Sequence, residues 1–189
     1  QLGKLEMARA SYKQSTTLSP DYAIAHLFLG ITLNDLGRLK ESEVSYRQAI
    51  KCKPDYAEAH CYLAGTLKEQ GKAEAAQVSY RRAITLRPDF PEAHYNLGLL
   101  LLEDRQYDIA MEQFEIVDTP LGKIYAIKCS FMQDKETIFY EKFDLLVNQG
   151  ERNAVLGSLA LCSEIKYGVK KANPFCSEPL KYVVKTDLY

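Results

Sequence analysis

The chain holds 189 residues, 47% hydrophobic and 26% charged, with 24 lysines and arginines against 25 aspartates and glutamates. A net charge of −1 gives no electrostatic bias toward nucleic acid or an anionic membrane. No apolar run reaches the ~18 residues of a membrane-spanning helix, and the longest candidate, residues 97–102, is short.

Five cysteines occur, Cys52, Cys61, Cys129, Cys162 and Cys176. The count is odd and no pair has C-x-x-C spacing, which argues against a disulfide scaffold or a zinc site. Reduced, mostly buried thiols in a reducing compartment are expected, and with them a cytoplasmic location.

In chain order, residues 1–20 read as a single helix carrying Gly3, Ala8 and Tyr12 and stopped by Pro20. The chain opens at Gln1, inside what reads as the second half of a repeat, so a fragment of a longer protein is expected. From there a step of 34 residues governs the sequence. It separates Pro20, Pro54 and Pro88, and likewise Asp21, Asp55 and Asp89. The three histidines, His26, His60 and His94, keep it, as do Leu29, Leu63 and Leu97, and Tyr12, Tyr46, Tyr80 and Phe114. A fixed period without slippage marks an array of one supersecondary unit. Histidines one repeat apart are held apart by the stacking, so they are expected to be structural and no metal site is expected.

Within each unit the spacing predicts two helices. Asp21, Asp55 and Asp89 are expected N-caps, the latter two in a capping box with Glu58 and Glu92. Pro91 suits a first turn. Apolar residues then recur at helical spacing, as in Leu29, Leu33 and Leu36. Gly37 and Gly71 can supply the positive-φ turn that ends the first helix, whereas Arg105 stands at the third such position. The second helix carries Tyr46, Ala49 and Ile50, then Ala76, Tyr80, Ala83 and Ile84. Gly30, Ala64, Gly98, Ala49 and Ala83 let the paired helices approach closely. Such a hairpin cannot bury its apolar face alone.

These residues resemble the tetratricopeptide repeat. Its pattern reads His26, Leu29-Gly30, Leu33, Ser42, Tyr46, Ala49 and Pro54, then His60, Leu63-Ala64, Leu67, Ala76, Tyr80, Ala83 and Pro88. A third copy reads His94, Leu97-Gly98, Leu101, Ala110, Phe114 and Val117, with Gly122 where the proline would stand. The resemblance implies an all-α, right-handed superhelical solenoid of antiparallel helix pairs. The array is expected over residues 1–118, as a half repeat (1–20) and full repeats at about 21–54, 55–88 and 89–118. The resemblance also implies that first helices line a concave groove. There Leu27, Phe28, Ile31, Glu58, Tyr62, Lys68, Tyr95, Asn96 and Leu99 are the expected contacts to a protein or peptide partner. Ile24, Asn34, Cys61, Gly65, Glu92 and Leu102 share that helix face. The Lys/Asn set that clamps a chaperone tail in some members is replaced by Leu27, Ile31, Tyr62 and Glu92. An asparagine ladder is replaced by Phe28, Tyr62 and Asn96. The aromatic strip could equally pack on neighbouring helices or on the chain's own tail.

Beyond residue 118 the period stops. Thr119-Pro120 reads as an N-cap and first turn, followed by helices over 121–133 and 135–148 that resemble a degenerate repeat without the small-residue signature. A further helix at about 153–167 is expected to cap the array, and 169–189 to be a linker or tail with a short extended segment at 180–184. Residues 148–188 also resemble the connector that precedes a 2-oxoglutarate- and iron-dependent oxygenase domain in some bacterial repeat proteins. That resemblance implies an alternative role as a substrate-recruiting accessory region. No His-x-Asp/Glu ligand pair is present, so such chemistry would lie beyond Tyr189. No phosphate loop, Gly-x-Gly-x-x-Gly or Gly-x-Ser-x-Gly occurs either. No catalytic residue, cofactor or metal is expected in this chain.

Overall fold

The computed structural model describes residues 2–150 and 154–167. Among these, the chain forms ten helices and no strand: α1 (Leu2–Leu18), α2 (Ala23–Asp35), α3 (Leu39–Cys52), α4 (Ala57–Glu69), α5 (Ala73–Leu86), α6 (Pro91–Glu103), α7 (Tyr107–Ile116), α8 (Pro120–Met132), α9 (Glu136–Asn148) and α10 (Ala154–Tyr167). The all-α class agrees with the repeat reading. The expected tail at 169–189 lies outside the described residues. The chain divides into two compact units, Gln1–Leu100 and Leu101–Tyr189.

In the first unit α2 pairs with α3 and α4 with α5, while α1 packs on α2 and α3 on α4. The hairpins are set by one large side chain meeting one small one. Tyr46 is only 1% exposed, and a Cβ on Gly30 would lie 2.5 Å from its ring. Ser42 Oγ donates to the Gly30 carbonyl at 2.8 Å within the same buried contact. Ala49, Ala64, Ala76 and Ala83 are fully buried, so the helices meet at backbone distance.

The turns repeat as faithfully as the helices. Gly37, Gly71 and Arg105 all adopt positive φ, at 71°, 75° and 59°. Each makes the same pair of backbone bonds: Gly37 N to Asn34 O and Arg38 N to Leu33 O, Gly71 N to Lys68 O and Lys72 N to Leu67 O, Arg105 N to Leu102 O and Gln106 N to Leu101 O. That is the Schellman pattern, which satisfies orphan carbonyls at a helix end. Arg105 therefore keeps the left-handed turn without the glycine. Asp134 does the same between α8 and α9, with φ 59°.

The expected aspartate caps are corrected. α2 and α4 start one residue later than such caps would place them, after Tyr22 and Tyr56, and no side chain caps either helix. Asp21 and Asp55 lie in the exposed turn, and Glu58 is drawn into a pair with Arg87. The one side-chain cap among the N-caps resolved here is Thr119, whose hydroxyl accepts from Gly122 N at 3.2 Å, with Pro120 beginning the helix.

The second unit centres on an aromatic cluster. Phe139, Phe143, Ile124, Ile127 and Leu156 are essentially buried, and Phe139 lies 5.5 Å from Phe143 and 5.7 Å from Phe131, ring centre to ring centre. Helix α10 packs on α8, with Leu156, Leu159 and Ala160 in the same core. Lys166 Nζ donates to the Phe131 carbonyl at 2.6 Å and pairs with Asp134 at 2.6 Å, locking α10 to the α8–α9 turn. Small residues do line the buried side of α8, contrary to expectation: Gly122, Ala126 and Ser130 are buried, and a Cβ on Gly122 would lie 2.5 Å from the Val117 carbonyl.

Two outcomes follow from these contacts. Ala83→Leu overpacks a site with no free volume and lowers unfolding free energy by about 1–3 kcal/mol, read from urea melts; an unchanged midpoint would break the assigned helix contact. Arg105→Gly removes a left-handed L-residue costing about 1–2 kcal/mol and returns part of that as glycine's unfolded-state entropy. A net gain of about 0.5–1 kcal/mol is expected in the same melts.

Candidate functional site

Ile24, Phe28 and Ile31 fall on one face of α2, with Ile24 and Phe28 exposed and Ile31 half-buried. Leu27, one of the expected groove contacts, is instead 5% exposed and belongs to the core. On α4, Tyr62 is exposed, Glu58 and Lys68 are half-buried, and Cys61 is buried. On α6, Tyr95, Asn96 and Leu99 are half-buried.

Both exposed rings are held from behind. Phe28 stacks on Tyr12 of α1, with centroids 5.5 Å apart and planes 16° apart. Tyr62 stacks on Tyr46 of α3 at 5.9 Å and 13°. Thr66 Oγ1 donates to Asn34 Oδ1 at 2.8 Å, bridging α4 to α2 on adjacent units. The Tyr62 phenol is held above its ordinary pKa, first by burial and then by the Glu92 carboxylate of α6. It therefore stays a hydrogen-bond donor at neutral pH. The Tyr46 phenol behind it is pushed higher still, by burial.

Glu58 does not stand free on this face. Arg87 Nη1 donates to its carboxylate at 2.5 Å, and the same guanidinium lies 3.6 Å from the Phe90 ring centre. Lys53 repeats the arrangement over Tyr56 at 4.8 Å. Sequence reasoning missed this cation–aromatic pair. Its signal was present, in a basic residue three positions before an aromatic at 53/56 and again at 87/90.

The histidines have one shared job. Nε2 of His26 donates to Pro20 O at 2.8 Å, Nε2 of His60 to Pro54 O at 3.2 Å, and Nε2 of His94 to Pro88 O at 2.9 Å. A carbonyl can only accept, so the hydrogen sits on Nε2 in each case. The ring pins the linker that ends the preceding unit to the next first helix. Among the described residues, no three His, Cys, Asp or Glu side chains gather where a metal could be held. Burial pushes the Cys61 and Cys129 thiols up to about 12, so neither supplies a thiolate nucleophile. This face offers aromatic surface, a phenol donor, an amide and flanking charge.

Stacked helix pairs with a recurring 34-residue register and a left-handed turn in each define a helical repeat protein. Residues 30–71 and 66–104 match the family described as TPR repeat, and residues 1–22 match that described as tetratricopeptide repeat, together just over half of the sequence. The chain belongs to the tetratricopeptide-repeat family. Its fold is similar to that of PilF of Pseudomonas aeruginosa, with a TM-score of 0.77 and 21% identity over 98% of this chain and 84% of that one. It is also similar to YrrB, described as a TPR protein with an unusual peptide-binding site, with a TM-score of 0.68 and 19% identity over 82% of each chain. MamA gives a TM-score of 0.67 and 22% identity over 74% of this chain and 86% of that one. No curated protein matches the sequence.

The histidine pin carries a pH signature. Burial, aided by Arg82, lowers the His60 pKa from 6.5, against the Pro54 bond that raises it. The unfolded chain then takes up the proton first. Stability is full above about pH 6.5 and falls as pH drops from there toward the lower folded value. Urea melts at about pH 7.5 and pH 5.5 should show this slope in the wild type and a smaller one in His60→Gln.

Proposed function

We propose that this chain is a non-catalytic module that binds a protein or peptide across the face formed by α2, α4 and α6. Phe28, Ile31, Tyr62, Tyr95 and Leu99 supply apolar contact, Glu58, Lys68 and Asn96 supply polar contact, and Leu27 supports the surface from below. The observation that carries this reading is the pair of exposed rings braced by Tyr12 and Tyr46. A ring already fixed by stacking loses little freedom when a partner covers it, so more of the contact energy survives as affinity. The peptide-binding site in the description of YrrB supports the same class of partner. Nucleic acid and membrane are not proposed partners, given the balanced charge and the lack, among the described residues, of a helix long and apolar enough to span a bilayer. Cys52, Cys61, Cys129 and Cys162 are free thiols, which supports a cytoplasmic setting. The connector resemblance of residues 148–188 supports a second arrangement, in which the module recruits substrate for an oxygenase domain on the same polypeptide.

Selection of a displayed random-peptide library on the purified chain tests the first reading. Peptides so obtained should bind Phe28→Ala and Tyr62→Ala at least about tenfold more weakly, a loss of about 1.4 kcal/mol or more. Selected peptides indifferent to both substitutions would overturn the assigned face.

A further inference from the structure

A cleft lies on the other side of α2. At 100° per residue, Leu29 and Leu33 point away from Ile24, Phe28 and Ile31. They floor a cleft of about 510 Å³ between α1 and α3, walled by Thr16 and Val44.

The repeat register shows why this cleft is open. Thr16 stands where the next two units have Ile50 and Ile84. Leu29, beneath it, is half-buried, whereas its counterparts Leu63 and Leu97 are 6% and 3% exposed. The Thr16 hydroxyl donates back to the Lys13 carbonyl at 2.9 Å and needs no partner in the cleft. Threonine falls one methyl group short of the isoleucine that stands here in the next two units.

Charge departs from the repeat at the same place. The cleft carries Arg9, Lys13 and Lys40, where the next unit has Glu43, Arg47 and Glu74. Arg9 pairs with Glu6, and the Glu41 carboxylate at the rim is held by Arg38. Lys13 and Lys40 make no ion pair with any described residue. An apolar notch between two unpaired ammonium groups is complementary to an aliphatic side chain flanked by carboxylates.

We propose that the α1–α3 cleft is a docking site for an acidic peptide segment of a partner protein, its aliphatic side chain entering the notch over Leu29 and its carboxylates meeting Lys13 and Lys40. The site is independent of the aromatic face on α2 and α4.

The test uses the full chain and a fluorescein-labelled peptide with leucine between pairs of glutamates, read by fluorescence anisotropy. Thr16→Ile installs the residue the fold already accepts one repeat later, so it narrows the notch over Leu29 without threatening folding. Binding should weaken about tenfold in Thr16→Ile. It should weaken comparably, with a shallower salt dependence, in Lys13→Glu/Lys40→Glu, and stay unchanged in Tyr62→Ala. A peptide with serine in place of leucine should bind as poorly as Thr16→Ile binds the original. No saturable binding by the wild type, or equal binding by Thr16→Ile, overturns the proposal. Sedimentation velocity adds a separate outcome: a dimer of the wild type that Thr16→Ile dissolves would give the cleft to a second copy and overturn the peptide reading.

Discussion

The Tyr46 ring is the contact on which the first unit depends. On one side it fills the notch left by Gly30 and so fixes how closely α2 and α3 pack. On the other it stacks on Tyr62 of the next repeat. The same buried ring therefore sets a hairpin, joins it to its neighbour and holds an exposed aromatic in place. A hairpin of this length has too little apolar surface to stand alone. Coupling within and between hairpins through one side chain is an economical answer, and Tyr80 and Phe114 occupy the same buried position in later repeats.

Polar contacts between repeats act on top of this packing. Glu43 is buried and receives both Lys72 at 2.9 Å and Arg47 at 2.8 Å, which keeps its carboxyl below the usual range despite burial. Gln70 Nε2 adds a bond to the Leu39 carbonyl at 3.1 Å. One repeat later, Glu43 and Lys72 become Gln77 and Gln106. This charged joint therefore belongs to one junction and is not a property of the repeat.

Most of the fold was legible because spacing is a geometric signal. The helices expected at 121–133, 135–148 and about 153–167 appear at Pro120–Met132, Glu136–Asn148 and Ala154–Tyr167. The aspartate caps were misread because residue type alone cannot tell an N-cap from the exposed turn preceding it. Here the cap position falls one residue beyond each aspartate, at Tyr22 and Tyr56. Arg105 left the third turn without its glycine signal, yet that turn is left-handed too and closes with the same backbone bonds. At the candidate face, periodicity placed Phe28 and Tyr62 on exposed surface. It could not separate Leu27 from them, because adjacent residues on a helix differ by 100° and the neighbouring helix decides which is covered. The cleft at Thr16 was written in the register as well, but as a departure from the period, which a search for agreement passes over.

The histidine pins bear on how the array comes apart. Each ties the carbonyl at the end of one hairpin to the first helix of the next, across His26–Pro20, His60–Pro54 and His94–Pro88. Melting a first helix thus exposes a carbonyl on its predecessor, and fraying a linker strands an imidazole on its successor. Neighbouring hairpins are therefore joined in their fluctuations as well as in their packing, and the natural unit of local opening in this part of the chain is a junction shared by two repeats.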